Sequence, residues 1–272
     1  MVFTVVSPKA GENVDVVKVT RMVLVLEYDG TRYYGFQLQN SLPTIQGEIE
    51  KALFKLTGER IRVTASSRTD AGVHAKAQVM SFRTKSSLSP QIFIKALNHY
   101  LPKDIAVKAA HTVGDSFKVR RGAVSREYSY SLLNSPTRSP IREGFAYRVA
   151  GYLDIEAMDR ACQTLLGEHD FASFASNIGS DVKSTVREVY RAGVDRDGDL
   201  VVFNIVANAF LRHQVRSTAG TLVRIGQGKM SEDELMGIIG AKKPGLAGPI
   251  LPACGLYLLQ VNYPRSFEEE LL

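Results

Sequence analysis

The sequence predicts an α+β protein of two lobes, each a split β-α-β unit, whose strands form a mixed, largely antiparallel sheet with helices packed on it. Three observations support this fold class. The chain has 272 residues, 44% of them hydrophobic, enough for about two domains of roughly 150 residues with a sizeable core. Strand-like and helix-like patterns alternate along it. The two halves repeat one order of elements, so we expect the functional site in a cleft between the lobes.

The first lobe, residues 20–112, has the predicted order strand, helix, strand, strand, helix, strand. Its first helix begins after Thr44, because the apolar residues that follow recur at helical spacing. The second helix has Ser89 as N-cap and Pro90 as its first residue, and it stops before Pro102. The four strands are predicted at residues 20–29, 61–66, 78–82 and 104–111.

The second lobe, residues 113–265, repeats this order with an additional helix near its end. Its first helix starts at Asp154 and stops at Gly167, and its last follows a capping box that begins at Ser231. The other elements are predicted as helices at residues 210–225 and 232–239 and strands at residues 125–133, 185–194, 200–207 and 255–261. An RNA-recognition-like sheet is one member of this fold class. Residues 1–19 are expected to form an N-terminal arm and residues 266–272 an acidic tail.

The net charge indicates an anionic partner. Lys and Arg number 34 against 28 Asp and Glu, which gives +6 and a pI near 9.2. The positive charge is concentrated in two stretches, formed by Lys118, Arg120, Arg121, Arg126, Arg138, Arg142 and Arg148 and by Arg212, Arg216, Arg224 and Lys229. Two solvated faces, balanced by acidic residues elsewhere, would explain the same pattern.

Several classes of protein are excluded by what the sequence lacks. No run of about 18 apolar residues could span a bilayer, so we expect no membrane association. Cys162 and Cys254 are too few for a disulfide framework, and the five histidines lack the spacing of a zinc site. The first twenty residues lack a secretory signal pattern, which favours a cytoplasmic protein.

A loop of small residues between two predicted strands is the best candidate for chemistry. It contains Arg68, Asp70, Gly72 and His74. The carboxylate of Asp70 could act as a nucleophile or a base. Alternatively, Asp70 caps a turn that Gly72 completes, while Arg68 points to solvent. His74 is interpreted as a hydrogen-bonded structural histidine, because no Cys or second His lies nearby to complete a metal site.

Arg212 and Arg216 lie four residues apart in the predicted helix 210–225, where like charges repel. We therefore expect an anion to compensate them, either a phosphate or a carboxylate such as Asp70. A bidentate pair between arginine and Asp70 would fix the direction of the carboxylate and keep it ionised. Two solvated arginines are the alternative.

Tyr128 and Tyr130 alternate with a serine on one predicted strand, so both face the same side of the sheet. Aromatic residues on a basic strand suit stacking with bases, at about 1 to 3 kcal/mol per base. They suit an ordinary core equally well, as do Tyr33, Tyr34 and Phe36.

The segment Arg68-Thr69-Asp70-Ala71-Gly72-Val73-His74-Ala75 resembles the catalytic signature of the TruA family of tRNA pseudouridine synthases almost letter for letter. The resemblance extends from about residue 19 to residue 264. Further matching segments lie at residues 27–30, 34–37, 126–128, 170–174, 209–216 and 255–258.

This resemblance implies conversion of uridine to pseudouridine at positions 38, 39 and 40 of the tRNA anticodon stem-loop, by a homodimer without cofactor or metal. It makes Asp70 the nucleophile, attacking C1′ of the ribose or C6 of the base or promoting a glycal route. It makes Tyr128 the residue that packs on the base and a candidate acceptor of the C5 proton. Arg216 would pair with Asp70, and Arg68 would hold the flipped nucleotide, with Arg212 and Leu256 as further substrate contacts.

Two departures from the family pattern stand out: Ser67 replaces a common glycine and Phe36 a common tryptophan. Neither removes a group needed for the reaction. Two alternatives remain at this point, a pseudouridine synthase with other or broader RNA targets and a non-catalytic tRNA-binding module.

Overall fold

The computed structural model describes residues 19–176, 178–180 and 182–264. The expected acidic tail lies outside these residues, as does the expected N-terminal arm apart from Val19. The strands are β1 (Thr20–Tyr28), β2 (Thr64–Ala65), β3 (His74–Thr84), β4 (Ile105–Val113), β5 (Ser125–Asn134), β6 (Tyr147–Val149), β7 (Gly167–Asp170), β8 (Val186–Asp197), β9 (Leu200–Ala207) and β10 (Leu256–Asn262). The α-helices are α1 (Ile45–Thr57), α2 (Pro90–Tyr100), α3 (Ile155–Gln163), α4 (Gln214–Gly226) and α5 (Glu232–Ala241).

All ten of these strands belong to one sheet. Its order is β4-β1-β3-β10-β5-β9-β8-β7, with β2 paired to β3 and β6 paired to β5. Most pairs are antiparallel; β10 with β3 and β5 with β6 are parallel. The predicted α+β fold with a mixed, largely antiparallel sheet is confirmed.

The last strand of the chain joins the two halves of the sheet. In β10, Tyr257 pairs with His74 of β3 and Leu258 pairs with Tyr128 of β5. One continuous sheet therefore runs through both predicted lobes, and the boundary between residues 112 and 113 stays a prediction.

The helix termini follow the local sequence signals. The hydroxyl of Thr44 accepts a hydrogen bond from the N–H of Gly47 at 3.2 Å and caps α1 as predicted. α2 starts at Pro90 and ends ahead of Pro102, also as predicted. At the start of α5, Ser231 and Glu234 form the predicted capping box through two reciprocal hydrogen bonds.

Alternate side chains of β5 point into the core. Tyr128, Tyr130 and Leu132 are all buried, and because successive side chains of a strand point to opposite faces, the two tyrosines face the same side, as predicted. The Tyr130 hydroxyl donates to the carbonyl of Pro252 at 2.6 Å, which satisfies its polar atom inside the core. Full burial of such a side chain stabilises the fold by about 1.5–3 kcal/mol.

The predicted strand at residues 61–66 is wrong for its first three residues, since β2 contains only Thr64 and Ala65. The N–H of Val63 donates to Glu50 Oε1 at 3.1 Å instead of to a strand. Ile61 and Val63 are buried, which explains the apolar pattern without strand pairing.

The end of the third helix also differs from its prediction. α3 stops at Gln163, and Gly167 is the first residue of β7. β7 and β6 were not predicted, because strands of four and three residues are too short to show an alternating pattern. Within the described residues, no helix has the length and apolar character needed to cross a membrane.

Candidate active site

Asp70 lies in the loop that joins β2 to β3. The N–H of Val73 donates to the Asp70 carbonyl at 3.2 Å, and Gly72 has a φ of +77°. Glycine adopts such a φ without the steric cost that a Cβ atom imposes. The predicted turn is therefore present, and it leaves the Asp70 side chain 33% exposed.

The first half of the chain holds this loop in place. The N–H of Phe36 donates to the Thr69 carbonyl at 3.0 Å, and the N–H of Gly72 donates to the Tyr33 carbonyl at 3.2 Å. The hydroxyls of Tyr28 and Thr69 are hydrogen-bonded at 2.8 Å. Because Thr69 and Gly72, on either side of Asp70, are anchored through backbone atoms to Phe36 and Tyr33, the position of the Asp70 side chain depends on the segment after β1.

The amide of Gln78 fixes the start of the loop. It accepts a hydrogen bond from the Ser66 hydroxyl at 2.8 Å and donates to the Ser67 carbonyl at 2.9 Å. Gln78 is fully buried, where an unpaired polar group costs about 1–3 kcal/mol. These two bonds therefore select one conformation of the loop entrance.

Three nitrogen-bearing side chains surround the Asp70 carboxylate. His213 Nε2 lies 3.3 Å from Oδ2, Arg216 Nη1 lies 3.9 Å from the same oxygen, and Arg212 Nε lies 4.0 Å from Oδ1. The expected compensation of the two arginines by Asp70 is present as ion pairs. The expected bidentate pair is not formed, because Arg216 Nε donates to the carbonyl of Leu251 at 2.6 Å instead.

The predicted start of the helix at residue 210 is wrong, since α4 begins at Gln214. The N–H of Leu211 donates to Gln214 Oε1 at 2.8 Å, and His213 adopts a left-handed φ of +66°. Arg212 therefore lies outside the helix, and the expected helical spacing of Arg212 and Arg216 is absent. Both side chains nevertheless reach Asp70.

Tyr128 forms the apolar part of the site. It is 8% exposed, and its ring meets that of Phe210 edge to face, with centroids 5.1 Å apart. Burial raises the pKa of Tyr128 to about 12, with a further contribution from the charge of Asp70; a hydrogen bond to Ser67 and the charge of Arg126 oppose it. The phenol is therefore protonated at neutral pH.

A cleft of about 930 Å³ brings these groups together, with walls from both halves of the chain. All six predicted site residues line it, namely Arg68, Asp70, Tyr128, Arg212, Arg216 and Leu256. Their individual roles remain predictions.

Arg126, which belongs to the first basic stretch, has a structural role. Arg126 is 8% exposed, and its guanidinium donates to the carbonyls of Arg120, Ala123 and Asn208 at 2.8–3.2 Å. Arg120 is exposed at the same cleft. Arg120 is therefore available to a bound anion, whereas Arg126 is engaged with backbone.

The structural interpretation of His74 is confirmed. Its ring is buried and stacks with those of Phe145 and Tyr257. Nδ1 lies 3.2 Å from the N–H of Gly30, and Nε2 lies 2.9 Å from the carbonyl of Gly144. Within the described ranges, no three His, Cys, Asp or Glu residues cluster as a metal site.

Three cleft residues received no individual role from the sequence. His213 and Phe210 belong to the matching segment 209–216, but nothing local shows that their side chains meet Asp70 and Tyr128. Tyr34 lines the cleft and is 53% exposed, unlike its buried neighbours Tyr33 and Phe36. Burial alone separates these aromatic residues, and it depends on the folded arrangement.

Comparison with known proteins decides the family. A sequence model described as tRNA pseudouridine synthase matches residues 24–120 and 161–264, which include the Asp70 loop and the start of α4. The chain belongs to the tRNA pseudouridine synthase family. It is therefore an isomerase that converts uridine to pseudouridine in tRNA.

Relatives of similar length support this assignment. The tRNA pseudouridine synthase A of Pelobacter propionicus is 41% identical over 241 residues, which are 88% of this chain and 98% of that protein. The protein of the same name from Methylacidiphilum infernorum is 42% identical over 245 residues, 90% and 96% of the two chains. That of Legionella pneumophila is 41% identical over 247 residues, 91% and 94%.

Proposed function

We propose that this tRNA pseudouridine synthase modifies uridines 38, 39 and 40 of the anticodon stem-loop, with Asp70 as its nucleophile. The observation that supports the proposal is the setting of Asp70. Its carboxylate stands in a cleft, between Arg212, His213 and Arg216. The choice of tRNA positions follows the family resemblance of the catalytic segment.

The reaction requires a carboxylate and no redox chemistry. The bond between N1 and C1′ breaks, the uracil turns, and a bond forms between C5 and C1′. The C5 hydrogen leaves as a proton, and N1 takes up a proton, so the atoms balance without a cofactor. Asp70 acts by attack at C1′, by attack at C6 or by promoting elimination to a glycal; each route needs an ionised and directed carboxylate.

Tyr128 and Leu256 pack against the target base. Both are buried residues of the cleft, so they provide an apolar surface for a base that has left its stack. The Tyr128 oxygen is the proposed acceptor of the C5 proton. Since burial keeps its phenol protonated at neutral pH, it takes up the C5 proton as it releases its own hydroxyl proton to water in the cleft, so the tyrosine ends the step neutral.

The arginines of the cleft hold the nucleotide. Flipping a base costs a few kcal/mol of unstacking, which contacts to the sugar and phosphates must offset. Arg68 and Arg212 line the cleft, and the Arg212 side chain is 64% exposed, so both can meet phosphate oxygens. Arg216, with a side chain only 15% exposed, pairs with Asp70. We include in the proposal a homodimer, as the family resemblance implies, and a cytoplasmic location.

Tritium release tests the reaction and its nucleophile. The wild-type protein and Asp70→Asn are incubated with unmodified tRNA that carries tritium at uracil C5, which pseudouridine formation releases to water. Asp70→Asn is expected to abolish release and to keep tRNA binding within several-fold. Asp115→Asn, a change at a side chain that is 79% exposed, is the control and should release tritium normally.

A second set of substrates tests the positions. Each tRNA carries uridine at only one of positions 38, 39 and 40, and a control tRNA carries it at none. Release from the first three and not from the control supports the proposal. Release from the control would indicate other or broader RNA targets, and salt-sensitive binding without any release would indicate a non-catalytic module.

A further inference from the structure

Among the residues that the structure describes, His213 has the side-chain nitrogen that lies nearest to the Asp70 carboxylate. The proposed mechanism nevertheless gives His213 no role. Its Nε2 lies 3.3 Å from Asp70 Oδ2, slightly beyond the usual range of about 2.7–3.2 Å for an N–H···O hydrogen bond, whereas the nearest nitrogens of Arg216 and Arg212 lie 3.9 and 4.0 Å from the carboxylate. A small movement of the ring or the carboxylate brings His213 to hydrogen-bond distance, where the directional contact restricts rotation of the carboxylate more than an ion pair at about 4 Å does.

The backbone of His213 is bent in a way that directs the ring toward Asp70. His213 is the N-cap of α4, with φ +66° and ψ 0°, and its side chain does not cap the helix. A left-handed conformation costs a residue with a Cβ atom about 1–2 kcal/mol. The usual N-cap residues would return about 1 kcal/mol through a side-chain hydrogen bond. His213 therefore gains no stabilising side-chain hydrogen bond from its N-cap position, while its ring contacts the Asp70 carboxylate.

The surroundings of His213 Nδ1 indicate which ring nitrogen carries the proton. His213 Nδ1 is buried and has no hydrogen-bond partner among the described residues. Burial lowers the pKa of His213, as do the charges of Arg216 and Arg212, whereas Asp70 raises it. The neutral ring with its proton on Nε2 fits this environment, because a proton on Nδ1 would be buried without an acceptor.

We propose that His213 is a positioning residue for Asp70, whose Nε2–H holds Oδ2 together with Arg216 and so leaves Oδ1 directed at the nucleotide. Among the described residues, Arg212 forms the one ion pair to Oδ1, at 4.0 Å, and its exposed side chain can turn to a phosphate when tRNA binds. The inference rests on the proposed function of Asp70 and adds the reason why one carboxylate oxygen is the reactive one.

Two amide variants distinguish the role of the Nε2–H donor of His213 from the role of its backbone conformation. In His213→Gln, the amide nitrogen is the same number of bonds from Cβ as Nε2, so it can replace the donor. In His213→Asn, the amide nitrogen corresponds to Nδ1 and falls short of Asp70. Asn adopts positive φ more readily than most residues. The Asn variant therefore fits the left-handed backbone at position 213 better than the Gln variant does, but it cannot make the proposed contact with Asp70.

The measurement is the single-turnover rate of tritium release at saturating tRNA, together with the tRNA dissociation constant and the melting temperature. We expect His213→Gln to stay within about 3-fold of wild type and His213→Asn to lose about 10- to 100-fold in rate, the range for a lost hydrogen bond to a charged group. Both variants should bind tRNA within about 3-fold of wild type, because His213 acts through Asp70.

A rate for His213→Asn equal to or above that of His213→Gln would overturn the proposal, because it would reduce the role of His213 to its backbone. If both variants lose the same factor in the rate of tritium release, the donor role is excluded as well, because only the Gln amide can replace Nε2. If the Gln variant is unstable, the Asn variant alone decides. A wild-type rate in His213→Asn excludes the donor role, and a low rate with a normal melting temperature supports it. Failure of the wild-type protein to release tritium would instead remove the proposed function.

Discussion

A Cβ atom at Gly35 would lie 2.7 Å from the carbonyl oxygen of Thr69. Thr69 directly precedes Asp70, and the N–H of Phe36 donates to this same carbonyl. Real Cβ atoms do not approach backbone oxygen so closely, and the φ of Gly35 is +90°. The absence of a side chain at Gly35 is therefore a condition for the position of the loop that carries Asp70.

Gly35→Ala is predicted to lower both stability and activity. The left-handed φ costs about 1–2 kcal/mol, and the contact forces the Thr69 carbonyl to move, which displaces Asp70. We expect a loss of about 2–4 kcal/mol in the free energy of unfolding and at least about 10-fold in the rate of tritium release.

Gly58→Ala is the matched control for this prediction. Gly58 has a φ of +72° and nothing within 4 Å of its Cβ position, so it carries the backbone cost alone. Urea denaturation and single-turnover assays compare the two variants. Normal turnover by a folded Gly35→Ala protein would show that the loop tolerates the displacement.

Tyr128→Phe separates the two tasks of the tyrosine. The ring stays, so packing against Phe210 and the proposed packing against the base are retained, while the oxygen proposed to accept the C5 proton is lost. We expect tRNA binding within about 3-fold and a rate of tritium release lower by about 100-fold, the lower range for general acid–base catalysis. An unchanged rate would leave Tyr128 with a packing role only.

Arg126→Lys is predicted to destabilise the fold. A lysine has one ammonium group and cannot reproduce the fork that binds three carbonyls. We expect the free energy of unfolding to fall by about 2–4 kcal/mol. Arg120→Lys, at an exposed position, should change it by less than about 0.5 kcal/mol. Equal stability of the two variants would contradict the structural role of Arg126.

Stability is predicted to fall at alkaline pH. Burial raises the pKa of Tyr128 and Tyr257 to about 12, against about 10 in the unfolded chain. The folded protein therefore binds more protons than the unfolded one between these values. This contribution is complete below about pH 10 and is lost as the pH rises toward 12, at about 1.4 kcal/mol per pH unit for the buried Tyr128, with a smaller share from the half-buried Tyr257.

Urea denaturation across this pH range, with phenolate absorbance as a second signal, checks the sign. Tyr128→Phe removes one titrating group, so its stability should fall less steeply above about pH 10. A stability curve that rises in this range, or an unchanged slope in the variant, would be inconsistent with a raised tyrosine pKa.

Local signals in the sequence predicted much of the fold. Thr44, Pro90 and the capping box at Ser231 mark helix starts through groups that interact within a few residues, so their patterns can be recognised without the folded chain. The start of α4 could not be predicted in this way. The bond from Leu211 to the Gln214 side chain and the left-handed His213 replace a helical turn with a bend that no periodicity shows.

The sequence by itself determined the α+β class, the helix caps and the six candidate site residues, because these depend on local spacing and on a family resemblance in several short segments along the chain. Only the tertiary structure decided how the groups meet. Asp70 reaches His213 and Arg216 because β10 inserts between β3 and β5 and brings the two halves into one sheet. Contacts between residues so distant in the chain form only when the burial of a shared core offsets the entropy of closing the intervening chain.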